Sequence, residues 1–363
     1  MLGAASIGAG RPARSASSVN ATLFHSYAAR VRTEVDGRLA AWVGGRVTQA
    51  RARGEEVAAV ADALRQLLLR GGKRLRAILV AAAFDACGGE GGTGRIMAAA
   101  AALELLQGYL LVHDDWMDGD DVRRGGPSVP AMMRARFGRH ADAASILAGD
   151  LACAWAQSAL LEADVEAGCL LRAARELAVV QEEVVSGQTL DVCGEAVDDR
   201  AVEGVYALKT ASYTVRGPVV IGARLAGASD PQVAALEAYA RPLGIAFQLR
   251  DDLLGVFGDA QVTGKPWGSD LREGKRTALV VEALRHDGVR RVLERVLGRS
   301  DASDEDVRRA VDCLQQSGTR ARVEHRIGEL VGSARRAIDR AELADRGRQL
   351  LLSSTVALTD RAV

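Results

Sequence analysis

Almost everywhere from residue 22 to residue 359, apolar side chains recur three and four positions apart, and no segment alternates apolar with polar residues. That spacing lines them along one side of a helix, whereas a half-buried strand would need a period of two. The chain is therefore expected to bury its apolar surface by packing helix on helix. Helices are predicted at 22–50, 57–69, 73–87, 93–117, 128–137, 141–163, 167–190, 200–227, 230–257, 276–297, 303–317, 320–338 and 341–359. The breaks carry turn chemistry: Gly88-Gly89-Glu90-Gly91-Gly92, the run 119–127, Asp198-Asp199 and Ser229-Asp230-Pro231. With 48% hydrophobic but only 4% aromatic residues, the core must come from alanine, leucine and valine, which suits closely spaced helices. No linker or short internal repeat divides the sequence, so one all-α domain is expected over 21–363, behind a tail at 1–20. The first thirty residues hold no acid and are rich in Ala, Ser, Gly and Arg, and a disordered tail is preferred over a targeting leader.

Charge and cysteines narrow the function classes. Lys and Arg number 47 against 47 Asp and Glu, so no global field draws the chain to nucleic acid or to an anionic membrane. The five cysteines show no paired spacing, which points to reduced thiols and a cytoplasmic protein. No apolar stretch of about 18 residues is free of charge, so no transmembrane segment is expected. The most apolar run, 98–112, is interrupted by Glu104 and Gln107 and reads as a buried core helix.

Two acidic clusters, Asp114-Asp115-Trp116-Met117-Asp118 and Asp251-Asp252-Leu253-Leu254-Gly255, each follow a long apolar run. Neighbouring carboxylates repel and raise one another's pKa, so crowding them is a poor way to stabilise a fold. On a helix continuing from 98–113, Asp114 and Asp118 share a face near the C-terminal end. The helix dipole disfavours anions there, so a cation must compensate. Mg²⁺ fits, as a hard ion usually held by a few carboxylates together with substrate phosphates and water. Basic residues punctuate the same chain: Gly71-Gly72-Lys73-Arg74-Leu75-Arg76, Arg123-Arg124-Gly125-Gly126-Pro127, Lys209-Thr210, Gly264-Lys265-Pro266 and Gly274-Lys275-Arg276-Thr277. Arginine grips phosphate as a planar fork and lysine as a point charge. Acids for metal with basic loops for phosphate describe a site for diphosphates.

The segments GGKRLR at 71–76, LVHDDWMDGDDVRRGGP at 111–127, GQTLD at 187–191, KT at 209–210, FQLRDDLLGVFGD at 247–259 and the GK pairs at 264–265 and 274–275 stand in a characteristic order. In these, over roughly residues 25 to 350, the chain resembles the trans-isoprenyl diphosphate synthases, the farnesyl and geranylgeranyl diphosphate synthase family. The resemblance implies a helical bundle around a central cavity, with the acidic helices facing each other, and a homodimer. It makes Asp114, Asp115, Asp118, Asp251 and Asp252 metal-binding, with about three Mg²⁺ per site. It matches Lys73, Arg76 and Arg124, with Gln107 where many members carry histidine, to the grip on isopentenyl diphosphate. Arg123, Lys209, Lys265 and Lys275 match positions holding an allylic diphosphate (dimethylallyl, geranyl or farnesyl). Thr210 and Gln248 match residues beside the reacting carbons, where oxygen dipoles stabilise an allylic cation.

Other residues take lesser roles. Asp120 and Asp121 are expected to order their loop, Arg74 to face solvent, and His113 to be an outer or core residue. Gln188 and Asp191 fit either a supporting place at the site or ordinary helix polarity. The sequence departs from the commoner family pattern at Gly255, where a third aspartate is missing; a water is expected to take its place, so that Gly255→Asp is tolerated, and the rival reading is that the glycine gives room to the backbone or the substrate. Asp259 lies too far along to substitute. The segment 258–275, with four glycines and a proline, is the best candidate for a mobile lid.

The implied chemistry is head-to-tail (1'-4) condensation of isopentenyl diphosphate with an allylic diphosphate. The allylic diphosphate ionises, the double bond of isopentenyl diphosphate attacks, and a proton is lost to the departing pyrophosphate. A terpene cyclase would not need the second diphosphate grip, and a non-catalytic subunit would have lost its acid clusters. Tyr109, five residues before Asp114, with the smaller Leu110 after it, resembles the pattern for a twenty-carbon product, geranylgeranyl diphosphate; farnesyl diphosphate is the alternative.

Overall fold

The computed structural model describes residues 16–194, 198–258 and 268–360. Ten α-helices carry most of the chain as far as the second acidic cluster: α1 Ala16–Arg51, α2 Glu55–Leu69, α3 Leu75–Ala86, α4 Met97–Asp118, α5 Val129–Phe137, α6 Ala141–Leu160, α7 Ala167–Cys193, α8 Asp199–Tyr206, α9 Gly217–Leu225 and α10 Asp230–Phe257. A π-helical stretch, Ala207–Arg216, joins α8 to α9. Further helices follow at Ser269–Glu273, Ala278–Ala283, Asp287–Leu293, Asp304–Gln316, Thr319–Asp339 and Asp345–Thr359. Among the described residues the only strands form a small antiparallel hairpin, Val122–Arg123 (β1) against Gly126–Pro127 (β2). The chain is all-α, as its apolar period requires.

Helix starts follow from local chemistry. Ser229 and Gln232 form a reciprocal capping box ahead of α10, with Pro231 in its first turn. Ser128 takes the amide of Ala131 at the start of α5, and Asp198 takes that of Ala201 at the start of α8. Two predicted helices differ from the observed ones. The span 276–297 is two helices, because the chain turns at Leu284 and the Arg290 guanidinium takes the freed Leu284 carbonyl at 2.7 and 3.0 Å. The span 200–227 is helical throughout but widens to π geometry over the Lys209-Thr210 pair; such widening is frequent at functional sites.

Small residues set the helix spacing. The alanines at 98–102 of α4 are at most 5% exposed, and α4 lies against α3 and α6. A Cβ on Gly222 of α9 would stand 2.2 Å from the Val80 carbonyl oxygen of α3, so only glycine permits that approach. The segment Thr93–Asp118 is the one described helix long and apolar enough to cross a membrane, and 72% of its most apolar window is buried inside the protein. Two apolar clusters result. The larger gathers α1 to α7, α9, the first half of α10, the end of Thr319–Asp339 and Asp345–Thr359, and the smaller gathers α8, the second half of α10 and the helices after it as far as the first part of Thr319–Asp339. Helix α10 therefore belongs to both, with Leu236, Tyr239 and Leu243 in one and Leu249, Leu253 and Val256 in the other.

Arg74 corrects the expectation of a solvent-facing side chain. It is 3% exposed; its Nε donates to Asp36 of α1 at 2.7 Å, one terminal nitrogen to Glu104 of α4 at 3.0 Å, and the other to the Leu68 carbonyl of α2 at 2.8 Å. A fully burdened guanidinium thus fastens three helices at the mouth of the basic loop. We predict that Arg74→Ala lowers the unfolding free energy by about 3–5 kcal/mol, because Glu104 is left as a buried charge without its partner. Urea denaturation followed by circular dichroism measures this, and a loss under about 1 kcal/mol contradicts the anchoring role.

Candidate active site

Helices α4 and α10 end beside one cavity of about 770 Å³. Its wall includes Lys73, Arg76, Gln107, Asp114, Arg123, Arg124, Lys209, Thr210, Gln248, Asp251, Asp252 and Lys275. The structure thus brings together residues from both acidic clusters and all the described basic motifs. Lys265 and Asp259 lie outside the described residues, as does the first half of the proposed lid, 259–267.

Within each acidic cluster the two adjacent aspartates do different work. Asp114 faces the cavity, accepting only long contacts from the Gln188 amide at 3.4 Å and the Lys209 ammonium at 3.6 Å. Asp115 is fully buried: one oxygen takes the Arg123 Nε at 2.6 Å, and the other has no hydrogen-bond partner. Burial pushes its carboxyl up to about 6, against the opposing pull of Arg123. Asp118, a turn beyond Asp114, accepts no hydrogen bond from any described residue, and burial and the Asp114 charge raise its pKa. In the second cluster Asp251 lines the cavity, whereas Asp252 is 3% exposed. The Asp252 carboxylate takes the Gln248 amide at 2.8 Å on one oxygen and the Tyr206 hydroxyl on the other, and burial pushes it up to about 7.

No three Asp, Glu, His or Cys side chains among the described residues converge tightly enough to enclose an ion by themselves. That arrangement fits Mg²⁺, which takes one or two carboxylates and fills its octahedron with phosphate oxygens and water. Asp114 and Asp251 line the cavity, and Asp118 lies in the field of Asp114, Lys209 and Lys275, so these carboxylates could offer oxygens to such an ion. Asp120 and Asp121 order the loop: Asp120 accepts from Arg123 at 2.8 Å and its carbonyl from Ser128 at 2.6 Å, while Asp121 pairs with Arg134.

Guanidinium groups crowd together at the basic part of the cavity. Burial lowers the pKa of Arg124, and the nearby guanidinium groups of Arg74, Arg76 and Arg123 lower it further, against the pull of Glu104. Arg124 donates to the Gly71 carbonyl at 3.0 Å; Arg76 lies over the Tyr213 ring at 4.4 Å, donates to Thr214 at 2.9 Å and leaves its Nε buried without a partner. The Gln107 side chain makes no hydrogen bond to any described residue. Arg74 and Arg124, at φ 50° and 53°, are the only non-glycine residues in the left-handed region among those described. Such backbone strain clusters where function over-determines it. Clustered cations with an idle amide make a ready cradle for a diphosphate.

Lys209 pairs with Asp191 and approaches Asp114, so Gln188 and Asp191 both touch the site. Gly187 makes this possible: a Cβ there would fall 2.3 Å from the Lys209 nitrogen. Thr210 donates to the Gln248 carbonyl oxygen at 2.8 Å. Lys275 pairs with Glu273 at 2.8 Å, within the field of Asp118 and Asp270. A second, mainly apolar chamber of about 350 Å³ adjoins the first through Asp114, Lys209 and Tyr213, and Tyr109, Leu110, Val184 and Val185 line it. His113 lines this chamber too, its ring 5.0 Å from Tyr109 and its Nε2 3.1 Å from the Ile146 carbonyl oxygen.

Two site residues escaped the sequence reading. Asp270 occupies the space beside Gly255, where a Cβ would fall 1.9 Å from its carboxylate oxygen; the only signal was an acid between the two GK pairs. Tyr206, beneath Asp252, carried no signal beyond standing three residues before Lys209.

The polyprenyl synthetase family pattern matches residues 57–314, and the chain belongs to that family. It is a trans-prenyltransferase. A short chain isoprenyl diphosphate synthase of Methanocaldococcus jannaschii is 35% identical over 262 residues, covering 70% of this chain and 76% of the relative. A (2E,6E)-farnesyl diphosphate synthase of Mycobacterium bovis is 36% identical over 258 residues, covering 69% and 68%. Among solved structures, geranylgeranyl pyrophosphate synthase from Corynebacterium glutamicum, complexed with isoprenyl diphosphate and magnesium, superposes with a TM-score of 0.85 at 34% identity, over 92% of this chain and 99% of that one.

Gly255 is therefore read as a glycine that gives room, to Asp270. We predict that Gly255→Asp, far from being tolerated, lowers kcat at least about tenfold, because the new side chain must displace a carboxylate and repel it. Steady-state kinetics on the folded variant decide this; activity equal to wild type returns the argument to a water in place of the third aspartate.

Proposed function

We propose that this chain condenses isopentenyl diphosphate head-to-tail with an allylic diphosphate in a Mg²⁺-dependent reaction, with geranylgeranyl diphosphate as its main product. The observation that carries the reading is one cavity lined by two sets of cations. Arg76 and Arg124, with Lys73 and Gln107 in the same lining, lie in one another's field, and Lys209 and Lys275 lie in the field of Asp118. A terpene cyclase needs one diphosphate grip; two grips suit a reaction between two diphosphates.

Asp114, Asp118 and Asp251 would hold Mg²⁺, with Asp115 and Asp252 supporting them from behind. Bound there, the metal would supply Lewis-acid charge to an allylic diphosphate. Lys209, Lys275 and Arg123 offset the charge that builds on the leaving diphosphate as its C–O bond breaks. Thr210 and Gln248 turn oxygen dipoles toward the allylic carbon, where positive charge develops. Lys73, Arg76, Gln107 and Arg124 hold isopentenyl diphosphate so that its double bond supplies the electron pair for the new C–C bond. The proton lost from the condensed product passes to pyrophosphate, since no His or Glu among the described residues lines the cavity as an evident base.

The apolar chamber receives the growing tail. Tyr109 lies five residues before Asp114, about 7.5 Å along the helix axis, and supports the reading that it forms the chamber floor. The geranylgeranyl and farnesyl diphosphate synthases among the relatives are about equally similar, so chain length rests on Tyr109 and Leu110 alone. A homodimer is proposed across the exposed apolar side chains of α6 and α7, among them Leu147, Leu171, Val185 and Val192. Unpaired cysteines support a reducing cytoplasm as the setting.

We predict that Asp115→Ala lowers kcat at least about a hundredfold, as for loss of one major transition-state stabiliser, since Arg123 loses the carboxylate that aims it. A variant within about tenfold of wild type at saturating Mg²⁺ argues against that role. For the tail, Tyr109→Ala is expected to lengthen the product and Leu110→Phe to shift it toward farnesyl. Chromatography of the dephosphorylated products reads both: unchanged lengths in the two variants sink the floor assignment, and a wild-type product other than geranylgeranyl sinks the chain-length reading.

A further inference from the structure

Asp252 is held by a residue the family motifs do not contain. Tyr206 ends α8 at 8% exposure, and its hydroxyl donates to the inner oxygen of Asp252. The same phenol oxygen accepts the backbone N–H of Ala278 at 2.9 Å. Ala278 is the first residue of the helix Ala278–Ala283, which Thr277 caps, and Lys275 lies three residues upstream. On its other oxygen Asp252 takes the Gln248 amide, whose carbonyl oxygen takes the Thr210 hydroxyl, both at 2.8 Å. One unbroken line of hydrogen bonds therefore runs from the π-helical stretch through α10 and α8 to Ala278, directly after the segment that carries Lys275.

A phenol can donate and accept at a single atom, so it can bind a carboxylate and an amide N–H together, whereas phenylalanine of nearly the same shape binds neither. We propose that Tyr206 is a positioning residue that fixes the second acidic cluster against the segment carrying Lys275, so that a diphosphate and its cation meet both at a set distance. The inference rests on the reading that the allylic diphosphate lies between these walls. The tie aims Asp251, the neighbour of Asp252 on α10, and it anchors the Lys275 backbone from below. Groups that orient metal ligands in this way, without touching the metal, commonly change metal affinity or activity by about 10–100-fold when removed.

Isothermal titration calorimetry of inorganic pyrophosphate, with and without Mg²⁺, tests this in the full chain. Wild type should bind pyrophosphate more tightly with Mg²⁺; no such gain would overturn the allylic-site reading itself. Tyr206→Phe should weaken the Mg²⁺-dependent binding about tenfold, while isopentenyl diphosphate binds as before in the absence of Mg²⁺. A Tyr206→Phe protein whose Mg²⁺-dependent binding stays within about twofold of wild type overturns the proposal, whatever its melting temperature, because a purely structural tie moves only stability. Ala278→Pro supplies the second arm, and it carries the test if Tyr206→Phe does not fold. Proline suits a first helical position, and Thr277, at φ −68° and ψ 165°, already has the conformation a following proline needs. It deletes the N–H bond to Tyr206, and its ring carbon pushes the phenol oxygen aside as well, so weaker Mg²⁺-dependent binding is expected again. Wild-type binding by Ala278→Pro overturns the link to the Lys275 segment.

Discussion

Everything around the cavity answers one electrostatic problem: carboxylates gathered at the C-terminal end of a helix, where both their neighbours and the helix dipole oppose them. The protein solves it by sorting. Within each acidic cluster, one of the adjacent aspartates is buried and bonded from within the protein, Asp115 on one oxygen by Arg123 and Asp252 on both by Gln248 and Tyr206. Asp114 and Asp251 are left to face the cavity. The small hairpin exists to deliver Arg123 to Asp115, and Arg70 holds that hairpin through the Arg123 and Pro127 carbonyls at 3.0 and 2.7 Å. The cost of the charge is thus spread over loops that also carry the phosphate-binding arginines.

The helical architecture was legible because every long element has a buried apolar face, and period alone locates such faces. The site was legible where it is local: acids at helix ends, basic runs beside glycines. What could not be read depended on partners far along the chain. Arg74 looks like any arginine in a basic run until Asp36 and Glu104 arrive from two other helices. The π widening at Lys209 depends on close packing that Gly187 and Gly244 permit, Gly244 lying where a Cβ would come 2.4 Å from that of Ala211. Asp270 fills room left by a glycine fifteen positions earlier, and no residue pattern announces that. Where charge and shape are completed from elsewhere in the fold, sequence spacing is silent.

Helix α10 gives the site its rigidity. Because it contributes to both apolar clusters, the carboxylates on its second half are braced from two sides, and Gln248 stands where the two clusters meet. A cavity built at such a seam keeps its catalytic wall firm while the segments beyond it remain free to differ in detail.

The two left-handed arginines carry a consequence for how this chain can change over time. At φ 50° and 53°, Arg74 and Arg124 occupy backbone conformations in which glycine would sit without strain. A glycine at either place would relax the local chain yet remove a guanidinium that the buried acids or the diphosphate grip require. Selection for robustness and selection for turnover therefore pull in opposite directions at these two codons. The residues that persist there record which demand has prevailed.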